Sequence, residues 1–375
     1  MKSYLVAIFL TLLVTTTQAA LAPAPPAIAA KGYLLIDSHS GRVLAEKDAD
    51  KRMEPASLTK IMTAHVVFEE LAHGNLKLSD MVTVSEKAWK EPGSRMFIEV
   101  NTKVSVEDLL KGLIIQSGND AAVALAEYIA GSEDAFANLM NEHAARLGMH
   151  DTHFTNATGL PHADHYTTPR DIAKLTIATI RDYPDYYKLY AEKEFTYNKI
   201  KQHNRNTLLW RDDSVDGVKT GHTETAGYCL VASAKREEMR LVSVVMGTDS
   251  MNARIKASQA LLNFGFRFYD THRVYQAGQA LAQARVWKGE QETVPVGLQK
   301  DLYVTIPRRQ YDKLAARSEL QPKITAPVHK GQVLGEAILE LDGEKVSQAP
   351  LVALQDDPEG GLWRQAVDAV KLWME

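Results

Sequence analysis

Ser57 and Lys60 stand three residues apart in Pro55-Ala56-Ser57-Leu58-Thr59-Lys60. On a helix that spacing puts both side chains on one face. A serine in the first helical turn lies among backbone N–H groups without intrahelical partners, which can stabilise developing negative charge. A lysine buried near another cation gives up its proton more readily and can act as a general base. Ser57 is therefore a candidate nucleophile and Lys60 its base. Taken alone the pair says little, because a chain of 375 residues holds about one Ser-x-x-Lys by chance. A second group, Ser117-Gly118-Asn119, offers a hydroxyl that can relay a proton and an amide that can hold a peptide carbonyl. By itself it reads as a polar turn. A third, Lys219-Thr220-Gly221, combines a positive charge, a hydroxyl suited to a carboxylate, and a glycine that lets a substrate backbone approach.

These residues need elements to hold them. Gly32 to Glu46 alternates apolar residues around Ser40-Gly41, which predicts a strand, a turn and a strand. Pro55 starts a helix that Ile61, Met62, Ala64, His65, Val66, Phe68 and Leu71 continue at helical spacing. Further helices are expected over Ser105 to Ile115, Asp120 to Ile129, Asp134 to Leu147, Arg170 to Ile180 and Ala253 to Phe264. Between two of them His150 to Thr168 is a polar loop, long enough to suggest a functional part. Strands are expected at Val215 to Thr220, Gly227 to Ala234 and Leu241 to Met246. Helices in the middle with strands from both ends predict an α+β unit: one antiparallel sheet with helices packed on it. From about Gln276 the texture becomes β-rich, with Leu302 to Ile306, Pro327 to Leu341 and Lys345 to Leu354 broken by Pro and Gly.

The expected organisation is a leader over 1–20, a catalytic unit over 21–275, a small all-β unit over 276–357 and a terminal helix over 358–375. The leader reading rests on Lys2, an apolar run from Leu5 to Val14 too short to span a bilayer, and small residues at Ala19 and Ala20. It predicts export. The lone cysteine, Cys229, can form neither an internal disulfide nor a Cys-based zinc site, and is expected to be a small buried apolar residue. A formal net charge of −4 gives no basic excess for nucleic acid. Hydrophobic content of 45% and charged content of 24% exclude a disordered chain and a multi-span membrane protein. From Leu362, a helical wheel gathers Leu362, Trp363, Ala366, Val367, Val370, Trp373 and Met374 on one arc, opposite Arg364, Gln365, Asp368, Lys371 and Glu375. Two tryptophans on the apolar arc suit a membrane interface, while the polar side carries no net charge. Pro358-Glu359-Gly360-Gly361 is expected to hinge this helix off the β unit.

Ser-x-x-Lys on a helix start, Ser-x-Asn about 60 residues on, and Lys-Thr-Gly on a strand about 100 further form the set of the penicillin-recognising serine acyltransferases. From about Lys31 onward the chain resembles the exported low-molecular-mass penicillin-binding proteins of the serine-type D-alanyl-D-alanine carboxypeptidase family. Gln116-Ser117-Gly118-Asn119-Asp120-Ala121 and Asp216-Gly217-Val218-Lys219-Thr220-Gly221-His222-Thr223 look like that family's extended signatures. So do Thr152-His153-Phe154 with Gly159-Leu160, and Asn204-Arg205-Asn206. The resemblance implies a transpeptidase-like (β-lactamase-like) catalytic domain, a small β domain, and anchoring on the periplasmic face of the cytoplasmic membrane. It implies acyl transfer from peptidoglycan stem pentapeptides, and covalent inhibition by β-lactams. Ser57, Lys60, Ser117, Asn119 and Lys219 would be catalytic. Backbone N–H groups of Ser57 and His222 would form the oxyanion hole. Thr220, Gly221 and Lys219, with Arg205 or Arg254, would receive the substrate and its terminal carboxylate. Cofactors and metals are not expected.

Three rival readings use much the same residues. A class A-like β-lactamase would need a glutamate in the loop after the second motif, but none occurs from His143 through Ala191, and that motif has Gly118 where those enzymes have Asp. A D,D-endopeptidase would use the same site, and Trp89 to Phe97, short against the family pattern, could alter substrate preference. A non-catalytic penicillin-binding receptor would be expected to lack a motif residue. His150, His153, His162 and His165, with Asp151 and Asp164, crowd one loop, where zinc is conceivable although nothing fixes its geometry. His222 could titrate near the site or simply pack.

Overall fold

The computed structural model describes residues 23–374. The expected leader therefore lies outside the described residues. Strands β1 (Gly32–Asp37), β2 (Val43–Lys47), β3 (Val215–Thr223), β4 (Gly227–Arg236) and β5 (Met239–Thr248) form one sheet in the order β2-β1-β5-β4-β3. Every pairing in it is antiparallel. Chain ends supply strands from both sides of the helical segment, as the pattern predicted.

Alternate residues of these strands feed two cores. Leu34, Val231 and Val244 pack with the helices α1 (Thr59–Ala72), α2 (Asn119–Ala130), α3 (Glu133–Arg146) and α4 (Pro169–Asp182). Leu35, Leu230 and Val245 pack with α5 (Met251–Phe268) on the other face. A sheet covered on both sides loses the polar alternation of a half-exposed one. Helix starts are set locally: Ser132, Thr168 and Ser250 each accept a first-turn backbone N–H. Cys229 lies in the core, and burial pushes its thiol up to about 11, so it is an inert apolar filler as expected.

Strand β6 (Tyr269–Tyr275) leads out of α5 and pairs with β9 (Leu302–Pro307). A six-stranded sheet follows, built from β7 (Ala280–Trp287), β8 (Thr293–Gly297), β10 (Leu314–Leu320), β11 (Ile324–Thr325), β12 (Val333–Leu341) and β13 (Glu344–Ala353). Its order is β10-β12-β13-β8-β7-β11. Its core is almost wholly aliphatic, with Val286, Val296, Leu339 and Leu351 buried.

The terminal helix α6 (Leu362–Met374) docks on this β unit by its polar face: the buried Asp368 carboxylate accepts the Lys288 N–H at 2.7 Å. Its apolar arc points away, with Leu362, Trp363 and Trp373 between 83 and 88% exposed. The segment before it is no free hinge. The Pro358 carbonyl accepts the Glu290 N–H and the Lys288 carbonyl accepts the Gly360 N–H, so the expectation of a hinge is corrected by backbone pairing. Among the described residues, no helix is long and apolar enough to cross a membrane.

Candidate active site

Ser57 does not sit inside α1. It occupies a tight turn, Ala56–Leu58, that runs into α1 at Thr59. Ala56, the residue before the serine, takes a φ of 48°, a conformation that costs an L-residue of order 1–3 kcal/mol. Two neighbours hold this turn. A side chain at Gly159, whose φ is +85°, would collide with the Ala56 carbonyl. A Cβ at Gly221 would sit 3.1 Å from the Pro55 carbonyl and 3.3 Å from the Leu58 nitrogen. Gly221 thus lets β3 close on the turn that carries Ser57, a role beyond the substrate clearance its motif suggested.

Lys60 is 1% exposed, and its Nζ lies 3.2 Å from Ser57 Oγ, 2.6 Å from Asn119 Oδ1 and 2.5 Å from the Thr158 carbonyl. Asn119 Nδ2 donates to the Pro92 carbonyl at 2.5 Å, which orients the amide with its oxygen toward Lys60. Burial pushes the Lys60 amine down to about 7, helped by the Arg205 charge and opposed by Asp120. In the neutral amine, two N–H bonds are taken by acceptors that cannot donate. The lone pair is left for the Ser57 hydroxyl.

Ser117 is buried and left-handed (φ 66°), at the end of a wide π-type turn over Gly112–Gln116. Such turns interrupt regular helix ladders and recur at functional positions. Lys219 is 2% exposed, and its Nζ donates to the Thr220 carbonyl at 3.1 Å. Burial holds its amine well below the usual lysine value, as do the charges of Lys60, Arg205 and Arg254. Thr220 is buried beside it, and His222 is exposed, stacked on Tyr228 at 4.0 Å between ring centroids.

The two arginines occupy different positions. Arg254, in the first turn of α5, is buried and donates from Nη1 to the Gly221 and Cys229 carbonyls at 3.0 and 3.4 Å. It braces β3 from behind. Arg205 is exposed, while the flanking Asn204 and Asn206 are buried. Asn206 donates to the Gly217 carbonyl at 2.8 Å, so the Asn-Arg-Asn motif fastens an arginine-bearing loop to β3.

Sequence reasoning missed two contributors. Thr158 acts through its backbone carbonyl, which no residue type advertises; the length of the His150 to Thr168 loop was the available signal. Asp120, 1% exposed, accepts the N–H groups of Met96, Phe97 and Ile98 at 2.9–3.3 Å. It ties the short Trp89 to Phe97 segment against Asn119, whose N–H donates to the Ser94 carbonyl. In the histidine-rich loop three of the four rings are engaged locally. His165 Nε2 meets Thr59 Oγ1 at 2.8 Å, His153 Nδ1 meets the Asp164 carbonyl at 2.7 Å, and His162 Nδ1 accepts the Asp164 N–H at 3.1 Å.

Residues 18–250 match the family model described as D-alanyl-D-alanine carboxypeptidase, and 269–359 match that of the penicillin-binding protein 5 C-terminal domain. The chain is 44% identical over 358 residues to the D-alanyl-D-alanine carboxypeptidase DacA of Escherichia coli (strain K12), covering 93% of this chain and 89% of that one. Among solved structures, penicillin binding protein 5 from Haemophilus influenzae superposes with a TM-score of 0.87 at 44% identity, covering 90% of this chain and all of that one. Penicillin-binding protein D2 from Listeria monocytogenes, solved in its ampicillin-bound form, gives 0.59 at 30% identity over 64% of this chain and 98% of its own. The chain belongs to the D-alanyl-D-alanine carboxypeptidase family of low-molecular-mass penicillin-binding proteins.

Proposed function

We propose that this carboxypeptidase removes the terminal D-alanine of peptidoglycan stem pentapeptides through an acyl-enzyme on Ser57. The observation that carries the reading is the wiring of Lys60, whose two N–H bonds are spent on Asn119 and Thr158. Neutral Lys60 takes the Ser57 proton as Oγ attacks the carbonyl carbon between the two D-alanines. The oxyanion is received by the N–H groups of Ser57 and His222. As the C–N bond breaks, Ser117 and Lys219 pass a proton to the departing amine. Asn119 orients the acyl chain. Thr220 and Lys219 hold the terminal carboxylate, with Arg205 adding charge from its loop and Arg254 keeping Gly221 in line. Water then cleaves the ester, restoring Ser57 and releasing the shortened peptide. A β-lactam enters by the same attack, its ring amide bond opening as the ester to Ser57 forms.

Ser57→Ala should abolish both D-alanine release and covalent penicillin labelling; intact-mass detection of a penicillin adduct on that variant would end the assignment.

The protein is read as exported, with α6 lying on the outer face of the cytoplasmic membrane. The exposed Trp363 and Trp373 arc supports this, because a docked polar face leaves the apolar side for a lipid interface. Removing residues 362–375 should move the protein from the membrane to the soluble fraction with penicillin labelling intact. Unchanged sedimentation with membranes would count against the anchor.

A further inference from the structure

A second set of chemistry-bearing side chains lies farther along α1, outside the acyl-transfer site. His65 and Glu69 are four residues apart and share one face of the helix. His143 of α3 faces them. The ligand atoms of the three residues lie within 4.8 Å of one another, and both imidazoles are 2% exposed. Glu69 keeps about a fifth of its side chain in solvent, which leaves a way in.

The surroundings prepare these groups for a cation. Thr179 Oγ1 donates its proton to the Leu175 carbonyl at 2.8 Å, so at 2.9 Å from His65 Nδ1 it accepts the ring N–H. That bond fixes the tautomer and leaves His65 Nε2 with a bare lone pair. A partner on the far ring nitrogen is the usual outer shell of a metal-bound histidine. The Glu69 carboxylate accepts the Tyr183 hydroxyl at 3.1 Å and Arg146 Nη2 at 2.9 Å, and His143 Nδ1 stands 3.4 Å from its Oε2. A carboxylate has lone pairs to spare beyond these bonds.

We infer that His65, Glu69 and His143 form a binding site for a divalent transition metal of the zinc class, clamping α1 to α3. Two imidazoles and one carboxylate suit such an ion, with water completing the shell. The site is structural. It sits beyond Lys60 along α1, His65 being about 7 Å farther at 1.5 Å per residue, and holds the helix whose first turn presents the base. Acyl transfer itself uses none of these atoms.

The test uses the full chain stripped with EDTA and titrated with Co2+, then Zn2+. One cobalt per chain is expected, with visible d–d absorption of four- or five-coordinate cobalt that zinc abolishes. At about 100 times Kd, zinc should raise the melting temperature by roughly 5 °C or more. Glu69→Gln and His143→Gln should lose the absorption and the thermal shift while still acylating with penicillin at the parent rate. Absence of both signals in the parent protein would overturn the site. So would their survival in both variants, which would move the metal to other histidines. Should His143→Gln fail to fold, Glu69→Gln, which keeps the side-chain volume, decides alone.

Discussion

Between the helices and the sheet of the catalytic unit lie Lys60, Lys219, Asn119 and Asp120, each no more than 4% exposed. The core of the β unit is instead Val, Ile, Leu and Ala, with Asp357 as a buried acid whose Oδ1 accepts the Gln291 N–H. An uncompensated buried charge costs several kcal/mol, whereas aliphatic burial contributes about 25 cal/mol per Å2. The first unit therefore gives up stability to hold amines in a reactive state. The second fills its interior mainly with aliphatic packing and takes no part in the proposed chemistry. The same chain shows both uses of an interior.

Lys60→Met would break this comparison most severely. Without its base, Ser57 should acylate about 10^2 to 10^4 times more slowly, measured as the second-order rate of penicillin adduct formation. In the parent protein that rate should fall as pH drops below about 7, because Lys60 then carries a proton and has no lone pair for the hydroxyl. Stability supplies the matching sign. The folded-state value, about 7, lies below the usual 10.5. Between those pH values the unfolded chain binds the proton and the folded chain does not, so stability conferred by this group rises with pH, by up to about 1.4 kcal/mol per unit. The melting temperature of the parent protein relative to Lys60→Met should climb from pH 7 toward pH 10. A flat difference would mean that burial does not depress this amine.

A smaller effect is expected from Asp120→Asn. The amide cannot match a carboxylate that receives four backbone N–H groups, three of them from Met96, Phe97 and Ile98, so the segment over Asn119 should loosen. Acylation should slow by about tenfold; a parent-like rate would show that this segment does not position Asn119. Leu351→Ala sharpens the contrast from the other side. Its side chain is fully buried in the β unit, and truncation should cost about 2–5 kcal/mol of that unit's stability by denaturant unfolding. Penicillin acylation should stay at the parent rate, and a fall would couple the two units.

Much of the site could be read from the chain because its parts are local. Ser57 and Lys60 stand three residues apart where a tight turn runs into α1, and Lys219 through Gly221 share one strand. The antiparallel sheet followed from alternating patterns at both ends of a helical segment. Other parts carried no such mark. The wide turn over Gly112–Gln116 falls mostly where an ordinary helix was expected to run to Ile115, and the polar turn expected at Ser117 gave no sign of its left-handed φ, which packing sets and residue preference does not. Arg205 and Arg254 looked equivalent as cations, yet one is exposed with its charge felt by Lys60 and Lys219, and the other is spent on backbone carbonyls of β3 and β4. The histidines that draw the eye are those crowded in one loop; those that converge are His65 and His143, some eighty residues apart.

The sequence by itself determined the candidate reacting groups, their order and most of the elements that carry them, since residue type and short-range periodicity encode these directly. Tertiary structure alone decided that Lys60 would be stripped of water and wired to Asn119 and the Thr158 carbonyl. It alone decided that α6 would dock by Asp368 and turn its tryptophans outward. Burial, backbone acceptors and docking faces are properties of many residues at once, and they come into being only when distant segments close on one another.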